Sequence, residues 1–223
     1  MNRRALVIGA TGLVGQSLVK QILEDDRFSS LVVLGRRPTG LSHPKLTEHL
    51  VNFDRPGDWE KLVQGDVLFS ALGTTLKTAG SKEAQYRVDH QYQWEVARAA
   101  AANGVRTYVL VSAAMANPES RLFYSRMKGE LERDVRSLSF PHLHIFRPGM
   151  LKGQRIEFRP GEKVGLAVLK ALNRLGLFKS QKPVPVETVA RAMIRVSFSE
   201  NSTPMVYELL DVFKAAGDHL PEG

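Results

Sequence analysis

Apolar residues fall along this chain in two spacings that take turns. Short, largely apolar runs at Ala5 to Ile8, Leu31 to Leu34, Asp66 to Leu72, Arg106 to Val111 and Leu143 to Phe146 predict strands covered on both faces. His49 to Phe53 predicts a further short strand that ends at Asp54. Between the runs, apolar positions return every three or four residues. Val14, Leu18, Ile22 and Leu23 follow the first strand in this way, and Val88, Tyr92, Val96 and Ala99 precede the run at Arg106. The latter helix has a hydroxyl N-cap in Ser81, reaches about Ala102 and closes at Asn103-Gly104. Further helices are predicted from Tyr124, from about Lys163 to Leu175, and from Val186 to Val196 behind Pro185. Strands alternating with helices of ordinary length predict an α/β fold, a parallel sheet with helices on both faces.

At 223 residues this is one domain, 1–223, with a large core. The character of the text changes after Arg147-Pro148-Gly149, where Arg155 and Arg159-Pro160-Gly161 mark a loop-rich, basic stretch. Residues from about 150 to 223, with both late helices, are therefore expected to form a small cap over the substrate end of the sheet. No segment reaches the roughly 18 apolar residues of a membrane span. The absence of cysteine excludes disulfides, thiolate zinc sites and cysteine nucleophiles, and leads to the expectation of a cytoplasmic protein. The net charge of +8 is spread over several segments with no basic block, so no nucleic-acid partner is expected and an anionic cofactor site accounts for part of the excess.

The break between the first strand and helix carries the first chemistry. Leu6-Val7-Ile8 runs into glycines at 9, 12 and 15, a strand, tight turn and helix N-terminus. Backbone N–H groups at such a first turn point at an anion, and glycine lets a pyrophosphate approach. The candidate contacts are Gly9, Thr11, Gly12, Leu13, Val14 and Gly15, and the fold they imply is a Rossmann-type doubly wound sheet. The second strand ends in Gly35-Arg36-Arg37 where an acidic residue would accept the ribose 2′-hydroxyl; two guanidinium forks there suit a 2′-phosphate, so NADP(H) is expected over NAD(H). Asp54 stands where it could accept from an adenine amino group, and equally where it could cap a helix or turn ahead of Pro56-Gly57-Asp58-Trp59. Leu72, Gly73 and Thr74 follow a strand at the carboxyl edge of the sheet, where ligands of such folds lie.

The fifth strand in chain order ends at Ser112, and Tyr124 follows with Lys128 four residues on. That spacing puts an ammonium on the same helix face as a phenol, where it favours the ionised form that acid/base work requires. His142 and His144 alternate on one strand with no third ligand, a poor zinc site, so no metal is expected. Asp25-Asp26 and the group Glu130, Glu132 and Asp134 read as solvated helix charges.

Gly9-Ala10-Thr11-Gly12-Leu13-Val14-Gly15, Ser112, Tyr124-x-x-x-Lys128 and Arg147-Pro148-Gly149 together resemble an atypical short-chain dehydrogenase/reductase. More narrowly, Leu72-Gly73-Thr74-Thr75, Arg87-Val88-Asp89, Tyr124 to Glu132 and Arg159-Pro160-Gly161-Glu162 are similar to the small Tat-interacting-protein-like oxidoreductases. The resemblance implies that the glycine turn holds the pyrophosphate and that Gly73 and Thr74 flank a ribose. Pro148 joins the cofactor contacts. It further implies hydride exchange between a nicotinamide and a small carbonyl or alcohol, with Tyr124 as acid, Lys128 on the nicotinamide ribose and Ser112 polarising the carbonyl. Many relatives carry a relay asparagine in the helix before the fifth strand; here the nearest residue is Asp89, which ionises and cannot donate. The alternative is a cofactor-binding regulatory module that acts through a protein partner with little or no turnover. Monomer and homodimer both remain open, with the face from Tyr86 to Trp94 as a candidate contact.

Overall fold

Every residue of β1 (Arg3–Ile8) from Ala5 onward is buried, and its side chains divide evenly: Ala5 and Val7 enter one core, Leu6 and Ile8 the other. A strand with two apolar faces needs cover on both sides. The computed structural model describes residues 2–149, 151–152, 183–200 and 205–218, and supplies that cover in three layers. Around β1 stand β2 (Phe28–Gly35), β3 (Leu46–Leu50), β4 (Val67–Ser70), β5 (Thr107–Val111), β6 (His142–Arg147) and β9 (Met205–Glu208). They form one parallel sheet in the order β3-β2-β1-β4-β5-β6-β9. The order reverses between β1 and β4, the point beyond whose carboxyl ends sheets of this kind bind their ligands. Beyond that edge β7 (Leu151–Lys152) pairs with β8 (Val184–Pro185).

One face of the sheet carries α1 (Leu13–Glu24), and the other carries α5 (Tyr92–Ala102) and α6 (Phe123–Arg136). The doubly wound α/β architecture expected from the hydrophobic pattern is the one observed.

Several elements differ from expectation. The strand predicted at His49 to Phe53 lies three residues earlier, paired from Leu31↔Leu46 to Gly35↔Leu50. As the outer strand it has no fully buried residue, so its pattern is weak; Phe53, which suggested the later frame, instead turns into the core against Trp59 and Tyr92. Short helices α2 (Pro56–Trp59) and α3 (Leu76–Ala79), with a 3₁₀ turn at Glu60–Leu62, were not anticipated. The long helix from Ser81 does begin on that residue's hydroxyl, which accepts from Ala84 N–H at 3.1 Å. It then runs as α4 (Lys82–Tyr86), a π-helical turn at Arg87–Gln91, and α5.

The helix predicted from Val186 to Val196 has those bounds and is α7. It is not a cap. Val189, Ala190 and Met193 are fully buried in the same core as Leu18 and Ile22 of α1, beside α8 (Leu210–Ala216), so it belongs to the layer beneath the sheet. The other predicted helix, Lys163 to Leu175, and Arg155, Arg159, Pro160, Gly161 and Glu162 lie outside the described residues.

Candidate functional site

The glycine turn fits a dinucleotide on the geometry of its own backbone. Gly9 has φ +81°, and a Cβ there would overlap the Ala71 carbonyl; a Cβ at Gly15 would overlap the carbonyl of Gly9. Gly12 donates to the Gly9 carbonyl at 2.9 Å and is the N-cap of α1, a residue with no side chain to cap the first-turn amides. Val14 and Gly15 are buried, Thr11 and Leu13 partly exposed and Gly12 exposed. Such a turn offers backbone N–H groups and a helix dipole to an anion.

Beside it, Arg36 and Arg37 are exposed at the end of β2. Asp54 accepts from the Tyr92 hydroxyl at 2.7 Å and stands 3.7 Å from Arg87. The N-cap of α2 is Arg55, so Asp54 is not a helix cap. Burial and then the Asp54 bond push the Tyr92 phenol up, while the charges of Arg87 and Arg36 pull it the other way. On the α1 side of the glycine turn, Thr11, Gln16 and Lys20 line a cleft of about 560 Å³ with Thr39, Ser42 and His43. The residues from the β2–β3 connection were not singled out in the sequence, where they carry no motif.

At the end of β4 the chain continues through Leu72, Gly73 and Thr74 along the crevice edge. Thr74 N–H donates to Asp89 Oδ2 at 2.8 Å, and Asp89 Oδ1 lies 3.5 Å from Lys128 Nζ, with both side chains almost wholly buried. On α6, Tyr124, Lys128 and Glu132 repeat at four-residue spacing and so share a stripe. The stripe runs inward: Tyr124 is partly exposed in the first turn, Lys128 is 3% exposed and Glu132 is fully buried. Glu132 is therefore no solvated charge. Its carboxylate accepts from Arg147 Nε and Nη2 at 2.9 and 2.6 Å and from Arg136 Nη2 at 3.2 Å. These bonds hold the Arg147 guanidinium well above its ordinary range.

Ser112 joins that cluster. Its hydroxyl donates to Glu132 Oε1 at 2.6 Å, buried, two helical turns along α6 from Tyr124. A serine has one proton to give, and in this arrangement Ser112 gives it to Glu132. Pro148 is buried, and its carbonyl accepts from Ala114 N–H at 3.3 Å, which ties the loop after β5 to the end of β6. His144 meets the Tyr207 hydroxyl at 3.1 Å, and burial followed by the neighbouring His142 drives its imidazole down to about 4.

The sequence matches the NAD(P)H-binding family over residues 9–199. It is 37% identical over 204 residues to protein FMP52, mitochondrial, of Eremothecium gossypii, covering 89% of this chain and 90% of that protein. It is 35% identical over 214 residues to protein HTATIP2 of Rattus norvegicus, covering 94% and 86%. An oxidoreductase of the short-chain dehydrogenase/reductase family from Burkholderia thailandensis superimposes with a TM-score of 0.68 at 18% identity, over 94% of this chain and 91% of that one, a likeness of fold. The mitochondrial naming of the FMP52 relative overturns the cytoplasmic expectation. That expectation rested on the absence of cysteine, which fits any reducing compartment. Among the described residues no helix is long and apolar enough to cross a membrane.

Proposed function

Because this chain belongs to the NAD(P)H-binding family and is a relative of the FMP52 and HTATIP2 proteins, we propose that it is an NADP(H)-dependent oxidoreductase acting on a small carbonyl or alcohol. The observation that supports the reading is the glycine cradle that follows β1, in a sheet whose β5 is followed by the helix that carries Tyr124 and Lys128. Gly9, Thr11, Gly12, Leu13, Val14 and Gly15 would hold the pyrophosphate. Arg36 and Arg37 would take the 2′-phosphate, Asp54 would face the adenine, and Leu72, Gly73, Thr74 and Pro148 would line the ribose side. When bound, the reduced nicotinamide supplies a hydride to the carbonyl carbon. Tyr124, at the exposed end of its stripe, gives its phenolic proton to the oxygen that gains charge, and Lys128 places a positive charge one helical turn behind it.

The commitment of Ser112 to Glu132 favours a second reading, an NADPH-binding regulatory or interaction module with little turnover. Both readings need the cofactor. The test is a calorimetric titration with NADPH and NADH at fixed salt, on the wild type and on Arg36→Ala/Arg37→Ala. The wild type should prefer NADPH, and the double variant should lose about tenfold to a hundredfold on NADPH, the worth of one or two charge-assisted phosphate bonds, with NADH changed by about twofold or less. Equal losses on both overturn the 2′-phosphate assignment. A wild type that binds neither overturns the cofactor reading.

A further inference from the structure

The relay asparagine of the resemblance is an aspartate here, and the structure gives that aspartate other work. Asp89 sits in the π-helical turn between α4 and α5, 1% exposed. Such turns insert one residue into a helix and re-aim the side chains around it. One carboxylate oxygen takes the Thr74 N–H at 2.8 Å and the other faces the Lys128 ammonium at 3.5 Å. Gly73 makes this approach possible, since a Cβ there would stand 3.2 Å from Asp89 Oδ1. The same segment holds Thr74 from its other side, because Gln85 Nε2 donates to the Thr74 carbonyl at 3.3 Å. Gln93 fixes the turn itself: its Nε2 donates to the Asp89 carbonyl at 2.7 Å and its Oε1 accepts the Ser70 hydroxyl at 2.7 Å. The loop after β4, the π-turn and α6 thus meet at one buried carboxylate, and Gln93 ties β4 to the same turn.

We propose that Asp89 is the positioning residue of the cofactor site: it locks the Gly73–Thr74 backbone to Lys128 in the free protein, so the ribose side of the crevice is assembled before the dinucleotide arrives. This rests on the cofactor reading above. An ammonium has three N–H donors to offer, and the ion pair with Asp89 at 3.5 Å sets where this one stands. An ordered loop and an ordered ammonium need not be immobilised on binding, and that saving appears as affinity. Simple electrostatics predicts the opposite sign for removal of Asp89, because deleting a carboxylate beside an anionic ligand's site favours that ligand. The sign of the change therefore separates positioning from charge.

The experiment has two parts, both read without any substrate. Amide hydrogen exchange of the wild type without cofactor should find Thr74 protected already, and NADPH should add little; rapid exchange that slows only with NADPH overturns the proposal. NADPH calorimetry on Asp89→Ala, at a temperature where circular dichroism finds it folded, should give binding weaker by about tenfold or more, with Thr74 exchange faster by a similar factor. Asp89→Asn retains an acceptor for Thr74 N–H, so it should restore the protection while its NADPH affinity stays below wild type, since Lys128 loses the ion pair that orders it. An Asp89→Ala protein that binds NADPH as tightly as wild type or more tightly overturns the proposal. Should that variant not fold, the wild-type exchange comparison decides. A wild type that binds no dinucleotide overturns the cofactor reading and this role with it; normal wild-type binding with an unprotected Thr74 overturns this role alone.

Discussion

At Ser112 the direction of one hydroxyl proton decides between two roles. The residue was legible in the sequence as the polar end of an apolar strand, and so was the Tyr124–Lys128 spacing. Its partner Glu132 was not, because a charged residue on an amphipathic helix reads as solvent-facing until the helix is docked. The signal was present in the spacing: Glu132 lies four residues beyond Lys128 on the stripe that α6 turns inward. A carboxylate with three donors from two arginines and one from a serine is stable when buried, because its charge is balanced and its lone pairs are filled. Ser112→Ala removes one donor and leaves the arginines in place. The expected loss is about 1.5–3 kcal/mol of stability by urea unfolding, with NADPH affinity within about twofold of wild type by calorimetry. Unchanged stability with a clear loss of affinity would return Ser112 to the ligand side.

Among the elements, those with two apolar faces or sharp breaks were legible and those decided by neighbours were not. β1, the glycine turn and α1 read directly, since their residues leave few alternatives. β3 lies on the outside of the sheet with no fully buried position, and its frame is set by the register with β2. The π-turn interrupts a sequence that is helical throughout, and the partners of its Asp89, Thr74 and Lys128, are separated from it by 15 and 39 residues. The glycine turn permits a sharp test. Gly15→Ala drives a methyl group into the Gly9 carbonyl, backbone against backbone, with no flexible side chain to yield. It should lose about 3 kcal/mol or more and its NADPH binding, whereas Gly57→Ala, with nothing within 4 Å of the added carbon, should stay within about 0.5 kcal/mol of wild type. Thermal unfolding and calorimetry on the pair check both.

For the whole molecule the question is whether the C-terminal third is a lid or part of the foundation. Its loop-rich, basic text suggested a lid, yet α7 carries Val189, Ala190, Met193 and Ile194 into the core that α1 shares with β1 and β2, and α8 adds Val212 and Phe213. Without those side chains the faces of Val14, Leu18 and Ile22 would meet water, a cost of about 25 cal/mol for each Å² of apolar surface. β9 also pairs with β6 from His144↔Met205 to Arg147↔Glu208, and Arg147 bridges Glu132 and Glu208, so the late strand reaches the polar cluster that anchors α6. A lid would tolerate truncation of an inner side chain with little change in unfolding; a foundation would not. Met193→Ala, from a fully buried position, should cost about 2–5 kcal/mol, lower the melting temperature by on the order of 10 °C, and leave a single transition by calorimetry and circular dichroism alike. Two transitions, or a melting temperature unchanged within a degree or so, would make α7 a separable cap, and the search for substrate contacts would then move to its surface.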